Sequence, residues 1–184
     1  MAKLYFRHSA MASGKTAHLL AVAGNYHYLG KKVLLLKPKI DSRSGEYLVE
    51  SRLNIQRHAD YLLEADTVIP VEWLVDVHCI LVDEGQFLSY SVVKQLRDIT
   101  VRNNIPVIVY GLRTDYQLQL FDGSKALFEL ADSIEELNKT ICNYCFKKKA
   151  IVNHRRDQTN QEKIVIGGSE IYASICYSCY LNSV

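Results

Sequence analysis

The sequence predicts an α/β fold in which a parallel β-sheet is flanked by helices and is followed by a small C-terminal module. The first observation is that short apolar runs alternate along the chain with longer segments of helical spacing, which is typical of a parallel sheet covered on both faces. The second is a change near residue 140, after which cysteine, lysine and glycine occur in short pieces. We therefore predict a main domain over residues 1–139 and a separate module over residues 140–184.

The predicted elements follow from apolar runs and helical periodicity. Strands are expected at 3–7, 31–37, within 76–87 and at 105–111. Helices are expected at 14–30, ending at Gly30, at 89–104, and within 123–137, where the helix runs into a short strand or turn. The polar stretch 38–58 lacks periodicity and contains three arginines, so we predict a long functional or mobile loop there.

Composition limits the classes of protein that this chain can belong to. Its 184 residues, 48% hydrophobic and 23% charged, suit one globular domain with a small addition, and the net charge of +2 is too mild to indicate a polyanionic partner. The N-terminal residues lack the apolar stretch of a signal peptide, and no apolar run approaches the roughly 20 residues of a membrane helix. We expect a cytoplasmic protein that binds neither membranes nor nucleic acid.

The stretch HSAMASGKT resembles a phosphate-binding loop with one substitution. The Walker pattern begins with glycine, where this chain has Ser9, and ends with Gly-Lys-Ser/Thr, which Gly14, Lys15 and Thr16 satisfy. A predicted strand precedes it and a predicted helix follows, as phosphate binding requires. Serine is small, and we expect its own N–H to remain available. The alternative is an ordinary helix that happens to begin with Gly-Lys-Thr.

A second motif, ILVDEGQF, has the form of a Walker B strand ending in two acids. An aspartate at the position of Asp83 holds Mg²⁺ beside the hydroxyl of Thr16, and the adjacent Glu84 can take a proton from an attacking oxygen. Acids at the end of a strand also serve simply to begin loops. Together with the phosphate loop they predict a nucleoside-triphosphate site, but the pair alone does not decide between water and a substrate hydroxyl as the acceptor.

Four of the five cysteines form two Cys-x-x-Cys pairs. Two such pairs can present four thiolates to one structural Zn²⁺ ion, and the predicted ligands are Cys142, Cys145, Cys176 and Cys179. Two redox pairs or four buried thiols are the alternatives. Cys79 stands within an apolar run, and we expect an inert core residue.

The segment KIVIGGSEIY lies between the two cysteine pairs, at 163–172. Val165 and Ile166 are strand-like, and Gly167 and Gly168 would allow a ligand to approach the backbone closely. Tyr172 adds an aromatic face. The alternative is a plain hairpin turn.

In order along the chain, YFRHSAMASGKT, KPKIDSR, ILVDEGQF, YGLRTDY, the cysteine pairs and IVIGGSEIY resemble the cytosolic, zinc-containing (type II) thymidine kinases. This resemblance implies that Glu84 takes the proton from the 5′-hydroxyl of thymidine, which attacks the γ-phosphate of ATP. It implies that the loop cradles the phosphates, that Asp83 and Thr16 position Mg²⁺, and that Gly85 and Gln86 belong to the nucleotide-binding segment. The loop residues are Ser9, Ala10, Met11, Ala12, Ser13, Gly14, Lys15 and Thr16.

The same resemblance implies a nucleoside pocket. Its wall would include Phe87, Leu112, Tyr116 and Phe121, with Tyr116 replacing the phenylalanine common in the family. A lasso-like loop would close over the base, and Val165, Ile166, Gly167 and Tyr172 are its matching positions. Asp41 and Arg43 would have a supporting role.

The resemblance also implies a homotetramer, feedback inhibition by dTTP, and nucleoside salvage for DNA synthesis. Two other interpretations stay open at this point. One is a nucleic-acid-binding ATPase whose zinc ribbon uses the lysines at 147–149 and Arg155-Arg156. The other is a zinc-stabilised nucleotide switch without turnover.

Overall fold

The computed structural model describes residues 1–137, 140–157 and 165–183, and its centre is a sheet of six strands. The strands in the sheet run in the order β5-β2-β6-β7-β1-β8, and every neighbouring pair is parallel. The predicted parallel α/β architecture is therefore confirmed. Within the described residues the strands are β1 (Leu4–His8), β2 (Lys32–Pro38), β3 (Leu48–Glu50), β4 (Gln56–His58), β5 (Tyr61–Leu63), β6 (Val77–Val82), β7 (Val107–Gly111), β8 (Ser133–Glu136), β9 (Val152–Arg155) and β10 (Tyr172–Ile175).

Both faces of the sheet are covered, since successive residues of a strand point to opposite sides. Leu34 and Leu36 of β2 pack in one apolar cluster, whereas Leu35 packs in the other. The first cluster includes residues of helices α2 (Tyr90–Arg102) and α3 (Asp122–Leu130), and the second includes residues of α1 (Lys15–Tyr28). Burial on both sides explains why these strands are almost continuously apolar.

The predicted helices begin and end close to the expected residues. Gly30 follows α1 with φ +67°, the left-handed conformation that ends a helix. The Ser89 hydroxyl caps α2 by accepting a hydrogen bond from the N–H of Val92 at 3.3 Å. The last predicted segment divides into α3 and the edge strand β8, as expected. Among the helices described, none has the length and apolar character needed to cross a membrane.

The prediction of an irregular loop over 38–58 is wrong in part. β3 and β4 pair in antiparallel fashion and form a hairpin within it. Each strand has only three residues, and β4 consists of Gln56, Arg57 and His58. Such a short polar strand has no apolar alternation from which it could be recognised.

The C-terminal module consists of the antiparallel pair β9 and β10 followed by α4 (Tyr177–Leu181). Val165 and Ile166 were expected in a strand, but residues 165–168 have no regular structure, and 163–164 lie outside the described residues. The boundary at residue 139 also falls outside them, so the division into 1–139 and 140–184 stays a prediction. Polar contacts between the module and the phosphate loop tie this part of the chain to the sheet.

Candidate active site

The phosphate loop joins the end of β1 to the start of α1. Its left-handed residues are Ala12, with φ +58°, and Gly14, with φ +80°, whereas Ser9 has no positive φ. The position that normally carries the first glycine therefore does not need glycine here. The expectation that the Ser9 N–H is available is wrong, because this group donates to the Gly111 carbonyl at 3.3 Å and extends the pairing of β1 with β7.

Lys15 lies buried beneath the loop. Its ammonium group donates a hydrogen bond to the Ala10 carbonyl at 2.9 Å. Burial lowers the pKa of Lys15, while the carboxylates of Glu84 and Asp83 oppose this shift. The loop thus holds a positive charge that two acids compensate.

Asp83 follows β6 directly and faces the start of α1. It accepts hydrogen bonds from the Thr16 hydroxyl at 3.0 Å and from the backbone N–H of Glu84 at 3.1 Å. Burial, and then the charge of Glu84, raise the pKa of Asp83 to about 7. A hydroxyl and a carboxylate are thus held together, a donor pair that suits Mg²⁺.

Glu84 has a left-handed backbone, with φ 50° and ψ 40°. For a residue other than glycine this conformation costs about 1–3 kcal/mol, and such strain occurs often at functional sites. Its carboxylate accepts hydrogen bonds from the Arg43 guanidinium and from the side-chain amide of Gln86, the latter at 2.5 Å. Gln86 in turn accepts from the backbone N–H of Leu112 at 2.9 Å.

A chain of charges extends from Glu84 into the protein. Arg43 also donates to Asp41 at 2.6 Å, and Asp41 lies 3.4 Å from the ammonium group of Lys37. Lys37 is 1% exposed and donates to the Leu48 carbonyl at 3.0 Å. The family resemblance implies a supporting role for Asp41 and Arg43, whereas the part played by Lys37 was not predicted. The available signal was a lysine directly after the apolar run 33–36 of β2.

Two cavities meet at Glu84. The first, here called the phosphate cavity, encloses about 470 Å³ and is lined by residues 11–17 of the loop and helix, by residues 48–53 of the hairpin, and by Asp83. Four residues that were predicted to bind ATP do not line the phosphate cavity. They are Ser9 and Ala10, at the start of the loop, and Gly85 and Gln86. Gly85 packs so closely on β7 that an added Cβ would lie 2.2 Å from Val109.

The second cavity, here called the aromatic cavity, is lined by all eight residues that were predicted to contact the nucleoside. They are Phe87, Leu112, Tyr116, Phe121, Val165, Ile166, Gly167 and Tyr172. The rings of Phe87 and Phe121 pack edge to face, with centroids 5.8 Å apart. Four residues, Met11, Arg43, Glu84 and Leu112, line both cavities.

One wall of the aromatic cavity is built on Arg155, which sequence reasoning placed only in a nucleic-acid surface. This residue is 2% exposed, and its guanidinium lies 3.8 Å from the centroid of the Tyr116 ring and donates to the Tyr172 hydroxyl at 3.3 Å. The Tyr172 hydroxyl donates to the Val165 carbonyl at 2.9 Å. Arg155 therefore connects the two tyrosines to the glycine-containing segment.

The cysteine cluster (Cys142, Cys145, Cys176 and Cys179) has the geometry of a metal site. The four sulfur atoms lie within 4.8 Å of one another, and those of Cys145 and Cys176 are 3.9 Å apart. Sulfurs bound tetrahedrally at about 2.3 Å from zinc would be about 3.8 Å apart. Burial opposes ionisation of Cys142, but neighbouring backbone N–H groups lower its pKa to about 6. Four cysteines are thus arranged to bind a metal ion.

Cys79 lies apart from this cluster, fully buried in β6. Burial raises the pKa of its thiol to about 11. The prediction of a core residue is confirmed.

Comparison with known proteins gives one consistent family. The sequence model of the family described as "Thymidine kinase" matches residues 2–180. The thymidine kinase of Streptococcus pyogenes serotype M6 is 38% identical, over 99% of this chain and 98% of that protein. The thymidine kinase of Streptococcus gordonii is 40% identical, over 98% and 96%, and that of Lactiplantibacillus plantarum is 40% identical over the same shares.

Proposed function

Because the chain belongs to the thymidine kinase family, we propose that it transfers the γ-phosphate of ATP to the 5′-hydroxyl of thymidine, giving dTMP and ADP. The position of Glu84 supports this proposal most directly. Its carboxylate lies where the phosphate cavity meets the aromatic cavity. A base at this junction can reach a hydroxyl on one side that faces a phosphate on the other.

Glu84 is the proposed catalytic base. The hydroxyl oxygen attacks the γ-phosphorus, its proton passes to Glu84, and the bond to the leaving oxygen of ADP breaks. Arg43 and Gln86 hold the carboxylate in place through their hydrogen bonds. In this arrangement Gln86 acts through Glu84, and Gly85 allows close packing on β7, so neither needs to contact ATP.

The phosphate loop would bind the triphosphate. Residues 11–16 line the cavity, and residues 12–16 present backbone N–H groups and the start of α1, while Ser9 and Ala10 support this part of the loop from outside the cavity. Thr16 and Asp83 would hold Mg²⁺, which supplies charge neutralisation for the phosphates. A cation beside Asp83 also favours the ionised form of this carboxylate.

The aromatic cavity would bind the thymine base. Phe87, Phe121 and Tyr116 offer ring faces and edges, and residues 165–167 line the cavity where their backbone would form hydrogen bonds to the base. This wall is expected to exclude water, which favours transfer to the sugar hydroxyl over hydrolysis. We assign the ion of the cysteine cluster as Zn²⁺ with a structural role, since four protein ligands leave no open position.

Family membership also supports a homotetramer, feedback inhibition by dTTP, and a role in nucleoside salvage in the cytoplasm. The interpretation as a nucleic-acid-binding ATPase is not favoured, because the family match covers the whole main domain and the cysteine module. Arg155, part of the basic footprint proposed for that alternative, is buried against tyrosine rings.

The test is a coupled ADP-release assay with Mg-ATP, in which thymidine, deoxycytidine, deoxyadenosine and no acceptor are compared. We expect turnover with thymidine and with close 5-substituted deoxyuridines only. Turnover without a nucleoside, increased by single-stranded nucleic acid, would contradict the proposal while leaving the phosphate site intact.

A further inference from the structure

The hairpin of β3 and β4 forms one wall of the phosphate cavity. Its turn has a defined shape, because the Ser51 hydroxyl accepts hydrogen bonds from the N–H groups of Leu53 and Ile55, both at 3.3 Å. The Ser51 N–H donates to the Ile55 carbonyl at 2.9 Å, and Asn54 has a left-handed φ of +57°. Arg52 is thus presented from an ordered turn.

Arg52 lines the phosphate cavity together with Lys15 and Glu84. Across the described parts of the chain, no hydrogen bond or ion pair joins its side chain to another residue. Arg43, by contrast, is already bonded to Asp41 and Glu84. Burial is the main cause of the lowered pKa of Lys15; Glu84 and Asp83 oppose the shift, and the charges of Arg43 and Arg52 add to it. The shared lining of the phosphate cavity places Arg52 and Lys15 around the same space.

We propose that Arg52 is a catalytic residue that binds the phosphoryl group during its transfer. The proposal rests on the phosphoryl transfer proposed above for this site. As the bond to ADP breaks and the bond to the acceptor oxygen forms, negative charge is spread over the three outer oxygens of the transferred group. A guanidinium is always charged and offers two parallel N–H donors to such oxygens, which the ammonium of Lys15 cannot do.

The direct test compares Arg52→Ala and Arg52→Lys with Arg57→Ala in the Mg-ATP and thymidine assay. Arg57 belongs to the same hairpin, opposite Val49, but does not line the phosphate cavity. We expect Arg52→Ala to lower kcat roughly 10²–10³-fold, somewhat less than the usual effect of an arginine supplied to a phosphoryl group. The KM for thymidine and the melting temperature should change little, Arg52→Lys should recover only part of the rate, and added guanidinium should partly rescue Arg52→Ala. Arg57→Ala should stay within about threefold of wild type.

A kcat for Arg52→Ala within about threefold of wild type would overturn the proposal, as would an equal loss in Arg57→Ala, which would indicate a purely structural hairpin. A second measurement does not depend on the acceptor. Arg52→Ala should weaken binding of ADP with fluoroaluminate, a mimic of the transferred phosphoryl group, much more than binding of ADP alone. If the wild type binds ADP with fluoroaluminate but does not phosphorylate thymidine, the proposed function fails. The difference in binding between the wild type and Arg52→Ala still decides the role of Arg52 in that case.

Discussion

The hydroxyl of Ser174 in β10 donates a hydrogen bond to the backbone carbonyl of Met11 in the phosphate loop, at 2.8 Å. The N–H of Met11 donates to the side-chain oxygen of Asn153 in β9 at 2.7 Å, so the module holds both polar groups of this residue. Met11 lines both cavities. The C-terminal module therefore shapes the phosphate loop as well as the aromatic cavity.

Removing this hydroxyl should loosen the loop without unfolding the protein. Loss of one hydrogen bond of about 0.5–1.5 kcal/mol predicts that Ser174→Ala raises the KM for ATP about 2–10-fold. Ser178→Ala is the matched control, because Ser178 lies in the same module but contacts Lys148 and not the loop. Initial-rate kinetics at varied ATP checks this prediction, and equal KM values in the two variants would contradict it.

Removing the Zn²⁺ proposed for the cysteine cluster should weaken ATP binding through the same contacts between the module and the phosphate loop. The backbone groups of Ser174 pair with Asn143, which lies between the ligands Cys142 and Cys145. We expect Cys142→Ser, or chelation, to lower the stability of the module and to weaken ATP and thymidine binding together. Metal analysis measures the bound ion, and calorimetric titration measures the affinities for ATP and thymidine. Cys79→Ala is the control variant, which should keep the metal content of the wild type. Metal-free protein that binds both ligands normally would contradict it.

Replacing the proposed base should separate chemistry from binding. Glu84→Gln keeps the shape of the side chain but cannot accept the proton, so kcat should fall roughly 10²–10⁴-fold while ATP affinity changes little. Glu129→Gln, on the exposed side of α3, should turn over like wild type. Steady-state kinetics measures kcat for both variants, and a separate ADP-binding measurement checks that the nucleotide site is intact. A Glu84→Gln variant within threefold of the wild-type rate would show that the base is misassigned.

Much of this site could be predicted because its residues lie directly beyond buried strands. Asp83 and Glu84 follow β6, and the phosphate loop follows β1, so recognising two apolar runs was enough to bring these residues to one edge of the sheet. Asn153 has no similar pattern, and the position of Lys37 after an apolar run does not reveal what it contacts. Their roles depend on contacts with residues distant in sequence, and a single polar residue in a short strand has no periodicity to reveal its partner.

The errors also have physical causes. The apolar side chains of Val165 and Ile166 suggested a strand, but both residues lie outside any strand and line the aromatic cavity. The small side chain of Ser9 suggested a free N–H, but the parallel pairing of β1 with β7 occupies this group.

Cys79 should be chemically inert in the folded protein. Burial raises its thiol pKa to about 11, so almost no thiolate forms at pH 8, and the side chain is fully buried. Because the raised pKa belongs to the folded state, the stability associated with the neutral thiol should be lost as pH rises from about 9 towards 11. Mass spectrometry after iodoacetamide treatment tests whether the Cys79 thiol is inert. Labelling of Cys79 in native protein at the rate seen in denaturant would contradict the prediction.

The buried ion pair behind the site should contribute measurably to stability at neutral pH. Burial alone would raise the pKa of Asp41, but Arg43 and Lys37 lower it below its ordinary value. The stability that the ionised Asp41 contributes is present above the pKa of an aspartate in the unfolded chain, about 3.9, and is lost as the pH falls below that value. Asp41→Asn leaves Lys37 buried without a counter-charge and should cost about 3–5 kcal/mol at pH 7. Asp98→Asn removes only an exposed pair with Lys94 and should change the free energy of unfolding much less. Urea unfolding at pH 7 and near pH 3.5 measures both, and the deficit of Asp41→Asn should shrink at the lower pH. Equal costs for the two variants at pH 7 would show that the buried pair has no special role.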